Sequence, residues 1–145
     1  MEGYGETLPR FENQVSLSKD RKDAWGVPLL DIDMSYGPNE TAMRLDMAEQ
    51  AAEITKAGGF ENVSMFNDTP IPGAVIHEMG TARMGRDPKT SVLNAHNQVW
   101  DAPNVFVTDG SCMTSSACQN PSLTYMALTA RACHYAVDEI KRGNL

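Results

Sequence analysis

Residues 30–36 alternate apolar and polar side chains. Leu30, Ile32, Met34 and Tyr36 face one way, and Asp31, Asp33 and Ser35 the other. A period of two is that of a β-strand with one buried face. Such a strand needs a neighbour for its backbone donors and acceptors, and a layer against its apolar side. The stretch Glu12–Ser18 alternates in the same way, and Ser18–Asp23 reads as a charged turn between the two. The two runs predict an antiparallel pair. Gly37-Pro38 stops the second strand. Asn39 then reads as the cap of a helix running to about Ala57, with Glu40 in its first turn and Gly58-Gly59 as its stop. Met43, Met47, Ala51 and Ile54 form its apolar face. The nine methionines of the chain read as core filler.

The second half has a different texture. Asn67–Gly73 is a loop by its turn residues. Gly73–His77 reads as a short strand that runs into a Gly-rich loop from Gly80 to Gly85. Asn104–Thr108, bounded by Pro103 and Asp109-Gly110, reads as a buried strand. Asn120-Pro121 opens a last helix, with Asn as cap and Pro at its first position. That helix carries an apolar stripe of Leu123, Met126, Ala130, Cys133, Val137 and Ile140, and ends at Lys141, Arg142 and Gly143. The order predicts an α+β fold with a boundary near residues 70–77.

Composition narrows the function. With 41% hydrophobic and 21% charged residues the chain reads as globular rather than disordered. A net charge of −7 argues against nucleic acid and against anionic membrane surfaces as partners. No apolar run approaches the ~20 residues of a membrane-spanning helix. Met1–Glu6 has neither the basic start nor the apolar stretch of a signal peptide; in a fragment this carries no information on export, so the compartment stays open. Cys112, Cys118 and Cys133 make neither a disulfide framework nor a zinc pattern, and no metal site is expected.

Three places carry residue types suited to chemistry. His77, between a strand and a Gly-rich loop, is placed as a general base; the competing reading is a structural or surface His. His96 and His134 read as structural. Asn120 is explained by helix capping alone, yet a helix start also offers unpaired N–H groups to an electron-rich ligand. Asp109-Gly110-Ser111 after a strand reads equally as an Asx turn or as a close approach to a phosphate or ribityl chain. No GxGxxG and no P-loop is present.

Read in order, these pieces resemble one family. His77-x-x-Gly80-Thr81-x-x-Met84-Gly85, then Asn104-Val105-Phe106-Val107-x-Asp109-Gly110-Ser111, then Asn120-Pro121-x-x-Thr124 resembles the C-terminal signature of the glucose-methanol-choline (GMC) oxidoreductases. The resemblance is closest over Gly73–Lys141. It extends more loosely to Glu12–Leu17, Asp23–Pro28 and the Asn39–Ala57 helix. Asn rather than His at position 120 is similar to the choline-oxidase, pyranose-oxidase and sugar-dehydrogenase branches.

The resemblance implies an antiparallel sheet with helices, plus a strand and a helix that complete an FAD domain. Residues 1–76 would be part of a substrate-binding domain and residues 77–145 the active-site loop and the return to the FAD domain. It implies FAD as cofactor, and an alcohol, sugar or sugar acid as substrate. His77 would take or hold the hydroxyl proton while hydride passes to flavin N5. Asn120 would hold the substrate oxygen, and Asp109, Gly110, Asn120, Pro121 and Thr124 would line the cofactor. Arg83 reads as a site residue or as a structural one. The N-terminal FAD-binding half would be a required partner, and the final electron acceptor is open. Two other classes stand beside this one: a GMC-like remnant or interaction domain without flavin, and a His-dependent hydrolase using Ser111 or Ser122, which lacks a Gly-x-Ser-x-Gly elbow.

Overall fold

The computed structural model describes residues 1–68, 71–74 and 76–145. Its architecture is α+β, with two small antiparallel sheets and two long helices. Contacts divide the chain into two compact units, Met1–Val75 and Ile76–Leu145.

In the first unit, β1 (Gln14–Lys22) pairs antiparallel with β2 (Pro28–Asp33), in the register Val15–Ile32 and Leu17–Leu30. The hairpin was legible, but its turn lies further on. Ser18–Lys22 is strand, and residues 23–27 make the reversal. There the Asp23 carboxylate accepts from the Trp25 and Val27 amides, and Gly26 takes a positive φ of 84°. The shift has a local cause: an Asx turn with a left-handed Gly is a better reversal than a run of charges. The alternating apolar row is not covered. Leu17, Leu30 and Ile32 are all more than half exposed.

Helix α1 (Pro38–Ala57) starts one residue before the expected cap. Gly37 is the cap and Pro38 the first helical residue, whose fixed φ and missing N–H suit that place. Asn39 is therefore inside the first turn. Glu40, at the third helical position, reaches back to the Gly37 amide at 2.7 Å and also accepts from the Leu8 amide at 3.0 Å. It is buried, and the Leu8 amide foremost, with help from Gly37, holds its carboxyl below the usual range against the opposing effect of burial. The N-terminal segment runs along α1 in the opposite direction. A Cβ at Gly3 would stand 3.0 Å from Met47 Sδ, and one at Gly5 would stand 2.5 Å from Met43 Sδ. The two glycines let the segment lie on the methionine row.

In the second unit, β3 (Gln98–Val99) and β4 (Ala102–Phe106) form a tight antiparallel hairpin. The strand expected at 104–108 thus begins two residues earlier. It is not buried: its middle residues are exposed, because the hairpin lies at the surface. Gly73–His77 holds no strand among its described residues. Gly73 sits in a turn at φ 86°, Ile76 is a bend, and Val75 lies outside the described residues, as do Thr69 and Pro70 of the expected loop.

Helix α2 (Ser122–Arg142) ends at Gly143 in the left-handed conformation, as its C-terminal residues predict. Its packed face is not the expected stripe. Ala132 and Glu139 are buried, and Tyr125, Leu128, Thr129, Tyr135 and Ala136 are half-buried. Leu123, Met126, Val137 and Ile140 are exposed. Leu93, Asn97, Cys112 and Ala132 make the core of this unit. Asn97 stands at φ 63°, where its amide donates to the Val107 carbonyl and its side-chain oxygen accepts from Arg131.

Candidate functional site

The residues singled out in the sequence all fall in the second unit. They come from three stretches: the loop that starts at His77, the turn after β4, and the start of α2. Backbone bonds tie the first two together. The Ala82 amide donates to the Ser111 carbonyl at 3.0 Å, and the Met84 amide to the Cys112 carbonyl at 2.9 Å. A further amide, that of Gly85, reaches the Leu93 carbonyl at 2.8 Å. The loop after His77 is thereby held along the turn that carries Asp109 and Gly110.

His77 is half-buried and takes a φ of 66°, in the left-handed region that a non-Gly residue enters only when its surroundings hold it there. Asp109 caps a short 3-10 turn, Gly110–Cys112, by accepting from the Ser111 amide at 3.0 Å and from the Ser111 hydroxyl. This is the Asx turn that was one of the two readings.

Gly110 explains itself by packing. A Cβ there would stand 2.8 Å from the Glu78 carbonyl, 2.8 Å from the Tyr125 hydroxyl and 3.3 Å from Met79 Sδ. The missing side chain makes room for protein, and the three stretches meet at this point. Beneath it Cys112 is fully buried, and burial pushes its thiol up.

The start of α2 differs from expectation. The cap is Pro121, buried, and the first turn closes with the Tyr125 amide on the Pro121 carbonyl at 3.0 Å. Asn120 is therefore outside the helix and exposed, and no side chain caps the helix. Pro121, at φ −88° and ψ 12°, takes the cap position itself. The capping explanation for Asn120 falls away. Among the described residues its side chain makes no hydrogen bond, and none links it to His77. No side chain claims the first amides of α2, and Ser122 and Thr124 are exposed beside them.

Two other residues resolve simply. Arg83 donates to the Thr90 carbonyl at 2.7 Å, closing its loop. His96 stacks on Tyr135, with ring centroids 3.9 Å apart. Tyr125 carried no signal in the sequence beyond lying next to Thr124 inside an apolar periodicity. Among the described residues no three His, Cys, Asp or Glu side chains stand together as a metal site, and no helix is long and apolar enough to cross a membrane.

Residues 9–129 match the family model for GMC oxidoreductase, and the chain belongs to that family as its C-terminal region. It is 38% identical over 135 residues to 2-methyl-1,2-propanediol dehydrogenase of Mycolicibacterium austroafricanum, covering 91% of this chain and 24% of that protein. It is 32% identical over 138 residues to the fructose dehydrogenase large subunit of Gluconobacter japonicus, covering 95% of this chain and 25% of the relative. Pyranose 2-oxidase of Lyophyllum shimeji is 28% identical over 148 residues, 97% of this chain and 23% of that enzyme. The chain thus spans about a quarter of the length of the curated relatives it matches.

Proposed function

We propose that this chain supplies the C-terminal part of an FAD-dependent oxidoreductase that acts on the CH–OH group of a sugar, sugar acid or other alcohol. Residues 1–76 contribute to the substrate-binding domain, and residues 77–145 carry the active-site loop and return to the FAD domain. What supports the reading most is the meeting of three motifs, far apart in sequence, around Gly110, in a chain whose relatives are named for polyol and sugar substrates.

The residues present fit the part of FAD they would hold. The uncapped start of α2 offers free amides and the positive end of a helix dipole to an electron-rich ring. Asp109, Gly110, Asn120, Pro121 and Thr124 would line the cofactor. The dinucleotide-binding half is supplied by the N-terminal part of the protein, since this chain holds no glycine fingerprint. Bound FAD would supply the acceptor for the hydride of the carbinol carbon. His77, as the neutral imidazole, takes the hydroxyl proton through its unprotonated ring nitrogen. Asn120, relieved of capping, donates from its side-chain amide to the substrate oxygen. The loop holds His77 in place before substrate arrives.

The test is oxidation of a panel of sugars and polyols, with an artificial electron acceptor, by the chain assembled with its FAD-binding N-terminal half. A yellow protein bleached by a polyol or sugar, and bleached at least ~100-fold more slowly as His77→Ala, is expected. Equal activity without His77 would remove the base from the mechanism. Absence of flavin from a folded assembly would remove the oxidoreductase reading and favour a flavin-free remnant domain.

A further inference from the structure

We propose that Tyr125 is a positioning residue of this site, whose phenol hydroxyl fixes the His77 loop against the start of α2. The inference rests on the reading of His77 as the base. Tyr125 lies in the first turn of α2. Its hydroxyl donates to Met79 Sδ at 3.9 Å, across 46 residues of sequence. The same oxygen and the Glu78 carbonyl oxygen each lie 2.8 Å from where a Cβ of Gly110 would be. The hydroxyl thus ties the loop just after His77 to the helix that follows Asn120-Pro121, over the space that Gly110 leaves open.

Among the described residues no other side-chain hydrogen bond reaches residues 77–81. The next anchor is the backbone bond of Ala82 to Ser111. Burial first, and then the Asp109 charge, push the phenol above its usual range, so at neutral pH it is a proton donor and not a phenolate. His77 itself sits in left-handed backbone that something must hold, and the Tyr125 tie lies two residues away. Without the oxygen, the ring still fills its space, but the loop loses its side-chain link to the helix. The imidazole would then wander relative to Asn120, and misplacement by about 1 Å can cost up to about a hundredfold in rate.

Tyr125→Phe keeps the ring and removes only the oxygen. In the assembled, flavin-loaded protein we expect kcat to fall roughly ten- to a hundredfold, with KM and flavin content within about twofold and an unchanged melting temperature. Met79→Leu removes the sulfur acceptor at nearly constant volume and should produce part of the same loss. The double variant should be no slower than Tyr125→Phe alone, because both changes break one link. In the assembled protein, labelled at its methionine methyls, Tyr125→Phe should move the Met79 resonance. An unchanged kcat, a loss that merely tracks melting temperature, losses that multiply in the double variant, or an unmoved Met79 methyl would each overturn the proposal. An unsubstituted assembly that binds no flavin would overturn it together with the reading it rests on, and is distinguished by that missing flavin.

Discussion

Glu40 is the buried charge on which the first unit turns, and replacing it has a calculable cost. Its carboxylate accepts from the Gly37 amide at 2.7 Å and the Leu8 amide at 3.0 Å. Hydrogen bonds to a charged acceptor contribute about 1.5–3 kcal/mol each. Leu8 is 46% exposed, so water can replace the carboxylate there, whereas Gly37 is buried and its amide would be left unpaired. Glu40→Ala should therefore cost about 2–3 kcal/mol, most of it from Gly37. With a urea slope of about 1–3 kcal/mol/M, the midpoint should fall by roughly 1–2 M. The charge also fixes a pH dependence. The folded carboxyl titrates below its ordinary value of 4.5, so its contribution is complete above that value and is lost as pH falls through the lower folded one. Glu40→Gln keeps an acceptor oxygen but cannot titrate, so this acid limb should vanish from its stability curve. Urea unfolding followed by circular dichroism at neutral and acid pH, with hydrogen exchange at Leu8 and Gly37, measures both effects. An unchanged midpoint for the Ala variant, or the same acid slope in the Gln variant, would refute the reasoning.

Three further outcomes are expected. Gly110→Ala puts a methyl 2.8 Å from a backbone carbonyl, which must move by several tenths of an ångström, and should cost about 1–3 kcal/mol by thermal unfolding. Gly5→Ala meets only the flexible end of Met43, at 2.5 Å, and should cost less than about 1 kcal/mol by the same measurement. Cys118 and Cys133 are exposed, whereas Cys112 is buried with its thiol pushed up, so a thiol reagent should titrate two groups at once and the third only on unfolding.

Alternation and punctuation carried most of the fold. Leu17 opposite Leu30 and Val15 opposite Ile32 follow from a period of two, and the end of α2 follows from Lys141-Arg142-Gly143. Errors gathered where two local signals compete. Gly37 and Asn39 are both cap residues, and Pro38 decided between them by taking the first helical position. At Asn120-Pro121 the outcome is the opposite: the proline itself holds the cap and the residue before it lies outside the helix. The turn at 23–27 was hidden by the charges before it, although Asp23 and Gly26 are the residues such a turn needs. In the site, the three motifs were legible as an ordered set. Tyr125 was not, because its role is a contact across 46 residues, and periodicity carries no information on contacts of that range.

Helix α2 shows the limit of periodicity most clearly. Leu123, Met126, Ala130, Cys133, Val137 and Ile140 recur at alternating steps of three and four, which is the pattern of a buried face, and yet Leu123, Met126, Val137 and Ile140 are 79%, 67%, 48% and 60% exposed. The helix also packs a second face, Tyr125, Leu128, Ala132 and Tyr135, within its own unit. A helix apolar on two sides belongs between two layers, and its own unit provides one of them. Fully burying a large apolar side chain contributes about 1.5–3 kcal/mol, and these four are already partly covered, so covering the rest would contribute on the order of 4–8 kcal/mol. That is comparable to the stability of a typical domain. On the proposed reading the remainder of the oxidoreductase supplies the second layer, and stability and assembly become one quantity. A variant that loosens the first turn of α2 then weakens both together. For that reason the hydroxyl of Tyr125 must be removed in the assembled protein, where an unchanged melting temperature separates a displaced imidazole from a loosened helix.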